Sequence, residues 1–387
     1  MGMKKVFYTF LLLFGVTLHV SKSIAQENQN QADLEALYTA IQKTPSYKKQ
    51  LKGDKAYQQL YEDVKLKIAK AGVIEAFRQL SKLVSAINDN HLGFYRTPDT
   101  ALKMSYFLMG QDKPGDIMKR VRPKFESDLE GVYFVYNRPY GLYEKGDKVY
   151  QVMNLVDGFI MAEIFHTSYG GYDVLLYGSL QLIKNTRLVN GTLLGTPFTK
   201  SREKKFSILD KGNENFEYKI LNDKIGYLRL SSFSSSTENI KKSEVFYQKI
   251  SDTLETVNLI VDVRNNGGGG FKTSQKFINL LKKYKGNIFV LQNSATVSNA
   301  EQFILELKPL KKVTTLGEQT RGTITFGSNY GTKIVLPSGR FTFYPTDMKG
   351  TNRDLAYESK GINPDITLDV FKSDWIEQTL EYINKKP

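Results

Sequence analysis

Residues 262–270 read Asp262-Val263-Arg264-Asn265-Asn266-Gly267-Gly268-Gly269-Gly270. They directly follow Asn258-Leu259-Ile260-Val261, a short apolar run rich in β-branched residues, which predicts a buried strand. Four consecutive glycines allow the backbone to turn tightly and to present bare N–H groups to a ligand. The sequence here therefore predicts a buried strand that ends in a tight loop lined with amides.

A second strand end of this kind lies further along the chain. The apolar run Asn287–Leu291 predicts another buried strand, and a helical pattern begins at Asn299, so Ser298 stands at a strand-to-helix junction. A hydroxyl in this position, near a glycine-lined loop, suits an acyl-transfer nucleophile beside an oxyanion hole. Ser298 and Glu301 also form a capping-box pattern, which needs no catalysis to explain it.

The glycine run has simpler interpretations as well. It could be a plain turn. It could also bind phosphate, but no Gly-Lys-Ser/Thr follows it, which argues against a nucleotide-binding P-loop.

Around these two segments, strand patterns alternate with helical patterns. Strands are predicted at 226–230, 259–263, 288–291 and 313–316, and helices at 238–253, 272–283, 299–307 and 374–385. This order predicts an α/β core with largely parallel strands. Ligands in such folds bind beyond the carboxyl ends of the strands, where the glycine run and Ser298 both lie.

The rest of the chain divides by pattern into further regions. Helical periodicity over Ala32–Ile87 predicts three helices, an N-terminal helical bundle whose exit loop carries His91. Alternating runs at 131–136 and 148–153 predict strands, and a hairpin is predicted from 206–209 and 216–220. We therefore divide the chain into a helical bundle at 26–95, a β-rich accessory region at 96–215 and a catalytic core at 216–387.

The first residues resemble a secretory signal peptide, residues 1–25. Lys4 and Lys5 form a basic start, an apolar run follows, and Ser23-Ile24-Ala25 is a small-residue cleavage site. The apolar run is too short and too interrupted for a confident membrane span. We expect an exported protein, periplasmic or extracellular, with no stable membrane span.

Composition narrows the function classes. The chain has no cysteine, which excludes disulfides, thiolate metal sites and a lipoprotein anchor. Its formal charge falls from +14 to +11 once the three lysines of the signal segment are removed. A basic balance can favour nucleic acid, but the lysines are scattered and the export signal argues against that role, so no nucleic-acid partner is expected.

Four ordered motifs between Asp262 and Asp365 resemble those of the C-terminal-processing (tail-specific) serine peptidases and their tricorn-core relatives. The shared patterns are Asp-x-Arg-x-Asn-x-Gly-Gly, Ser-x-x-Glu, Gly-Glu-x-Thr-x-Gly and Gly-hydrophobic-x-Pro-Asp. The matching residues are Asp262, Arg264, Asn266, Gly268 and Gly269; Ser298 and Glu301; Gly317, Glu318, Thr320 and Gly322; and Gly361, Ile362, Pro364 and Asp365. The resemblance covers residues 215–370 well and residues 30–95 more loosely.

One departure bears on the mechanism. The tail-specific branch has a Ser-Lys dyad with its lysine directly after Gly-Glu-x-Thr-x-Gly, where this chain has Thr323. Arg321 cannot replace that lysine, because a guanidinium does not deprotonate in proteins. The tricorn-like branch instead has a histidine in an Asp-x-His segment, which His91 matches, although Asn90 stands where the relatives have serine. Glu358 occupies the slot of the carboxylate that supports the histidine.

The resemblance implies a serine peptidase, closer to the Ser-His branch. It implies a ClpP/crotonase-like core and peptide or protein substrates, with no metal or organic cofactor. Ser298 would be the nucleophile, His91 the general base, and Glu358 with Asn90 its support. Gly268 and Asn299 would supply oxyanion-hole amides, with Gly267 as the alternative donor. Relatives often insert a PDZ domain in the middle region, but its carboxylate-loop pattern is not clear in this chain.

Alternative interpretations remain for these residues and for the whole chain. The only other histidine after the signal segment is His166, which has no supporting motif and is interpreted as structural. His91 could be a packing residue, and Glu358 a solvated loop acid. Because the family includes members that bind apolar ligands without hydrolysis, an inactive peptide- or ligand-binding protein is the rival interpretation. The sequence leaves the oligomeric state open.

Overall fold

The computed structural model describes residues 27–98, 108–122, 125, 127–209 and 214–385. The predicted signal peptide lies outside these residues. Two compact units are present: the first unit comprises the chain up to Thr186 plus Ser328–Met348, and the second comprises Arg187–Gly327 plus the chain from Lys349. These units divide the chain at places other than residues 95 and 215, which stay a division by sequence pattern.

The helices of the described residues are α1 (27–43), α2 (Pro45–Gln50), α3 (Lys55–Ile68), α4 (Val73–Ser85), α5 (Pro114–Val121), α6 (Thr237–Ile250), α7 (Phe271–Lys283), α8 (Asn299–Leu307), α9 (Asn352–Leu355) and α10 (Trp375–Lys385). The strands are β1 (Gly93–Arg96), β2 (Leu108–Met109), β3 (Gly131–Val135), β4 (Arg138–Gly146), β5 (Val149–Asn154), β6 (Phe159–His166), β7 (Tyr172–Leu176), β8 (Gln181–Thr186), β9 (Leu188–Val189), β10 (Thr192–Leu193), β11 (Phe216–Asn222), β12 (Ile225–Leu230), β13 (Asn258–Asp262), β14 (Asn287–Gln292), β15 (Val313–Gly317), β16 (Phe326–Gly327), β17 (Ile334–Val335), β18 (Phe341–Tyr344), β19 (Met348–Lys349) and β20 (Ile366–Thr367). None of the helices in this described part is long and apolar enough to cross a bilayer.

The first unit combines helices with an antiparallel sheet. Its described strands follow the order β17-β18-β1-β8-β7-β6-β5-β4-β3, with β2 beside β6. Three helices were predicted over Ala32–Ile87, whereas the structure has four, α1 to α4. The additional one is the short helix α2, which begins after Thr44 because the Thr44 side chain accepts the Tyr47 N–H. Phe77 of α4 stacks on Phe94 of β1 at a ring-centroid distance of 5.4 Å, which fastens this helix to the sheet.

The second unit has a mixed α/β fold. Strands β12, β13, β14, β15 and β20 are parallel neighbours, and β11 adds an antiparallel edge. Side chains along β13 alternate between two cores: Leu259 and Val261 pack under the helices on one face, and Ile260 packs with Trp375 on the other. The alternation follows from the two-residue period of a strand that is buried on both faces.

The predicted hairpin of 206–209 with 216–220 is wrong. Residues 206–209 form no strand, and β11 pairs instead with β12 across the turn at 223–224, with Phe216 opposite Leu230. Asn222 closes this turn because its side chain accepts the Lys224 N–H at 3.0 Å. The local Asn-Asp pair is a turn signal of ordinary strength, and it outweighs the longer loop that the pattern suggested.

Candidate functional site

The two segments singled out in the sequence lie at the same sheet edge of the second unit. Strands β13 and β14 are parallel neighbours, with Asp262 opposite Leu291, so the loops that leave their carboxyl ends start side by side. Val297 donates its N–H to the Asn266 carbonyl oxygen at 2.9 Å and so joins one loop to the other.

Asn266 shapes the glycine loop. Its fully buried side chain accepts the Gly268 N–H at 2.9 Å and donates to the Leu230 carbonyl at 2.8 Å. Gly268 has a φ of +83°, and a Cβ placed on it would lie 2.8 Å from Ser298 Cβ and 2.7 Å from the Val297 carbonyl oxygen. The glycine is therefore required both by its backbone conformation and by the close approach of the serine loop.

Ser298 has an unusual backbone conformation for a helix cap. Its φ of 58° and ψ of −121° differ from the extended conformation typical of an N-cap residue. A non-glycine residue in such a sparsely populated region costs about 1–3 kcal/mol and persists where its surroundings over-determine it, often at functional sites. A strained turn between a strand and a helix is also how α/β-hydrolases expose their nucleophilic serine.

The backbone amides near Ser298 differ in whether they already donate a hydrogen bond. The Gly268 N–H, one predicted oxyanion donor, already donates to Asn266. Neither the Gly267 N–H nor the Asn299 N–H has an acceptor among the residues that the structure describes. Asn299 is the first residue of α8, where N–H groups have no partner within the helix and favour negative charge. An anion beside Ser298 would thus find open donors at Asn299 and Gly267.

The third motif leads out of β15, and the fourth lies directly before β20. Thr323, at the position of the dyad lysine in relatives, is buried, and its N–H donates to Glu301 at 3.0 Å. Glu358 is 2% exposed and accepts the N–H groups of Ile324 and Thr325 at 3.0 and 2.7 Å. Glu358 is therefore a buried acceptor bound to this loop, whereas a solvated acid was the simpler expectation.

Sequence reasoning missed Arg187. Its guanidinium donates to the Gln319 side chain at 2.6 Å and to the carbonyl oxygens of Thr320 and Lys360, so it links two loops of the site. Burial lowers the pKa of Arg187, and the nearby carboxylate of Glu301 acts in the opposite direction. An isolated arginine after a short strand has no local signal that could have identified it.

His91 and Asn90 belong to the first unit, in the loop between α4 and β1. Asp89 is fully buried and accepts the His91 N–H at 3.0 Å and the Thr346 hydroxyl at 2.7 Å, which holds the loop. Burial lowers the pKa of His91, and the Asp89 carboxylate opposes that shift. The lowered pKa favours the neutral imidazole, the form that can accept a proton.

Asp262 and Arg264 of the first motif are structural. The guanidinium donates to the carboxylate at 2.7 and 3.0 Å, both side chains are fully buried, and the Tyr227 hydroxyl donates to the same carboxylate at 3.0 Å. This ion pair fastens the end of β13, so the glycine loop starts from a rigid point.

A cavity of about 340 Å³ lies beside the segment that leads into Ser298. Its lining is largely apolar and includes Val189, Leu194, Ile208, Ala295 and Val297. Pockets of roughly 300–1,000 Å³ with mostly apolar walls are typical of ligand sites. Among the described residues, no group of three His, Asp or Glu side chains is placed to hold a metal ion.

Residues 224–283 and 272–368 match the sequence model of Peptidase family S41. No curated protein sequence matches the chain. Among solved structures, a candidate peptidase from Parabacteroides merdae is similar with 17% identity and a TM-score of 0.46, over 93% of this chain and 98% of that one.

Two further likenesses are to the photosystem II D1 C-terminal processing protease and to the tricorn protease. The first has 16% identity over 88% of this chain and 93% of that one, with a TM-score of 0.42. The second has 13% identity over 92% of this chain and 36% of that one, with a TM-score of 0.47. The segment that carries the glycine loop, Ser298 and Glu358 is the one that matches Peptidase family S41.

Proposed function

We propose that the protein is a serine peptidase that hydrolyses peptide bonds through an acyl-enzyme on Ser298. The observation that carries the proposal is the strained turn at Ser298, packed against Gly268 at the start of α8. It lies within the segment that matches a family of serine peptidases. Open amides beside the serine suit the charge that develops when a hydroxyl attacks a carbonyl.

In the proposed reaction, Ser298 attacks the substrate carbonyl while His91 takes its proton. Glu358, acting through Asn90, orients the imidazole and stabilises the imidazolium. The amides of Asn299 and Gly267 hold the oxyanion, each contributing about 3 kcal/mol of transition-state stabilisation. Gly267 takes precedence over Gly268 because the Gly268 N–H is already bonded to Asn266. His91 then protonates the leaving amine, and water hydrolyses the ester by the same route.

The substrates in this proposal are peptides or proteins that place an apolar side chain in the cavity beside Val297. The assignment to the Ser-His branch of the tail-specific peptidases belongs to the same proposal, because Thr323 stands at the dyad lysine's position. The ClpP/crotonase-like class of the core is also part of this proposal. Export to the periplasm or the medium is proposed from residues 1–25 alone.

Labelling by a fluorophosphonate probe tests the nucleophile. We expect the wild-type chain and a Ser251→Ala control to be labelled, since Ser251 lies at the end of α6, and Ser298→Ala to lose labelling. Labelling that persists in Ser298→Ala would refute the assignment. A wild-type chain that binds peptides but is neither labelled nor able to cleave them would support the binding-protein alternative.

Cleavage of a peptide library tests the reaction and its specificity. We expect products from the wild-type chain and none from Ser298→Ala or His91→Ala. If the His91→Ala variant cleaves peptides as fast as the wild-type chain, another group must take the proton.

A further inference from the structure

The side chain of Glu301 lies at the centre of the candidate site in the second unit. It is fully buried, and within the described part of the chain its carboxylate accepts four hydrogen bonds. Oε2 accepts the N–H groups of Ser298 and Thr323, each at 3.0 Å. Oε1 accepts the Thr320 hydroxyl at 2.6 Å and the Gly322 N–H at 2.7 Å.

This arrangement exceeds what a helix cap requires. The bond from Ser298 is the part that belongs to a capping box. The other three come from a different loop, residues 320–323, which lies well beyond α8 in sequence. A buried carboxylate is costly unless its oxygens are satisfied, so an ordinary cap would be expected to stay at the surface.

The bond to Ser298 acts on the strained residue itself. The Ser298 N–H points to Glu301, which fixes the peptide plane that precedes the Ser298 side chain. A conformation that costs about 1–3 kcal/mol needs contacts of this kind to persist. The same carboxylate holds the loop of Thr323, so one group sets both segments.

We infer that Glu301 is a positioning residue that locks the Ser298 turn and the 320–323 loop into one reactive arrangement. That this arrangement is reactive rests on the proposed function. That Glu301 holds the two segments together rests on the hydrogen bonds alone. Burial raises the pKa of Glu301, and the four donated bonds act in the opposite direction. Arg187 is a nearby cation, and its attraction to Glu301 also favours the ionised form.

The variant Glu301→Gln tests the inference sharply. Each carboxylate oxygen accepts two donors, so either orientation of the glutamine amide places its NH₂ group against two donors. We expect the maximal rate of inactivation by a fluorophosphonate to fall about 100-fold, because displacement of a reacting group by about 1 Å costs that much. The half-saturating probe concentration should stay near the wild-type value.

Hydrogen exchange supplies a readout that does not depend on catalysis. We expect the amides of Ser298, Gly322 and Thr323 to exchange faster in Glu301→Gln. The matched control is Glu306→Gln on the same helix, whose part-exposed carboxylate pairs with Lys282 and Arg353. In this control the three amides and the inactivation rate should stay as in the wild-type chain.

A second variant covers the case in which Glu301→Gln does not fold. Thr320→Val removes one donor to Glu301 and also the acceptor of the Ile362 N–H, whereas Thr320→Ser keeps both. We expect Thr320→Val to lower the inactivation rate about tenfold and Thr320→Ser to restore it, since a hydrogen bond to a charged group contributes about 1.5–3 kcal/mol.

The outcomes separate the two proposals. Faster exchange at the three amides together with a lower inactivation rate supports the inference. A folded Glu301→Gln chain with wild-type exchange or a wild-type inactivation rate overturns it, as does equal activity of Thr320→Val and Thr320→Ser. If the wild-type chain is not labelled at all, the proposed function fails, and the exchange rates alone then decide whether Glu301 locks the two segments.

Discussion

At the scale of single residues, the site depends on how closely two loops approach each other. Gly268 touches Ser298 and Val297 and has a left-handed φ, whereas Gly267, its neighbour, is exposed and would have open space around an added Cβ. Adjacent glycines that look equivalent in sequence therefore have different structural roles. Gly268 admits the serine loop, and Gly267 leaves an amide open.

The two glycines form a matched pair for mutation. We expect Gly268→Ala to lower the free energy of unfolding by about 2–4 kcal/mol and to abolish probe labelling, because of left-handed strain and contacts below 3.0 Å with the Val297 carbonyl oxygen and Ser298 Cβ. Gly267→Ala keeps its N–H and should change stability by about 0.5 kcal/mol or less. Urea unfolding and labelling of both variants check this. Equal effects of the two substitutions would contradict the geometry.

The lowered pKa of His91 makes a prediction about pH. A base whose folded-state pKa lies below its unfolded value of about 6.5 contributes stability above that pH and loses it as the pH falls toward the folded-state pKa. We therefore expect the wild-type chain to lose more unfolding free energy than His91→Gln between about pH 7.5 and pH 5, by at most about 1.4 kcal/mol per pH unit.

The control for that experiment is His166→Gln. His166 is exposed at the end of β6, where its ring packs on Tyr172 at a centroid distance of 4.3 Å. Urea unfolding of this variant should follow the wild-type pH dependence. If His91→Gln also follows it, the buried imidazole is not the source of the acid destabilisation.

At the scale of elements, β13 shows how a motif divides between structure and chemistry. Its last residue, Asp262, pairs with Arg264 in the core, and Asn265 and Asn266 then tie the loop to neighbouring segments. The polar residues before the glycines thus hold the loop in place. Among the four glycines that follow, Gly268 is the one where an added Cβ would contact Ser298.

Removing the guanidinium of Arg264 should therefore destabilise the protein at the end of β13. We expect Arg264→Met to cost about 3–5 kcal/mol, because Asp262 is left buried without its partner. The double variant with Asp262→Asn should recover much of this loss. Lys372→Met, which breaks an exposed pair with Glu381, should cost about 1 kcal/mol or less. Urea unfolding measures all three, and a single variant no worse than this control would argue against a structural role.

At the scale of the whole molecule, the chain passes between the two units at residues 186–187, 327–328 and 348–349. The segment Ser328–Met348 returns to the first unit, where β18 pairs with β1 directly after His91. Asp33 of α1 secures this return: it accepts the Ser338 N–H at 2.9 Å and hydroxyl at 2.6 Å, and pairs with Arg340 at 2.9 Å. The strand that follows His91 is therefore paired with residues from much later in the chain.

Substitution of Asp33 tests this attachment. We expect Asp33→Ala to lower the free energy of unfolding by about 2–4 kcal/mol, since Asp33 is buried and Arg340 loses its carboxylate partner. Amides of residues 93–96 and 341–344 should exchange faster. Asp63→Ala, which removes an exposed carboxylate on α3, is the control and should leave both unchanged. Unchanged exchange in Asp33→Ala would mean that the pairing of β18 with β1 is enough to hold residues 328–348 in place.

The sequence by itself determined the local elements of the second unit. The predicted strands at 226–230, 259–263, 288–291 and 313–316 and the helix at 299–307 are present to within one residue at each end. Period-two and helical patterns, glycines and caps act over a few residues, so they can be read from neighbours in the chain. The proximity of the glycine loop to Ser298 also followed, because carboxyl ends of adjacent parallel strands share one edge.

Tertiary structure alone decided the rest. The return of residues 328–348 to the first unit, the Arg187 bonds and the donors to Glu301 all join residues that are distant in sequence or carry no local pattern. The physical reason is that a buried polar group must find its partner wherever packing places one. That choice depends on three-dimensional neighbours, which the order of residues along the chain does not display.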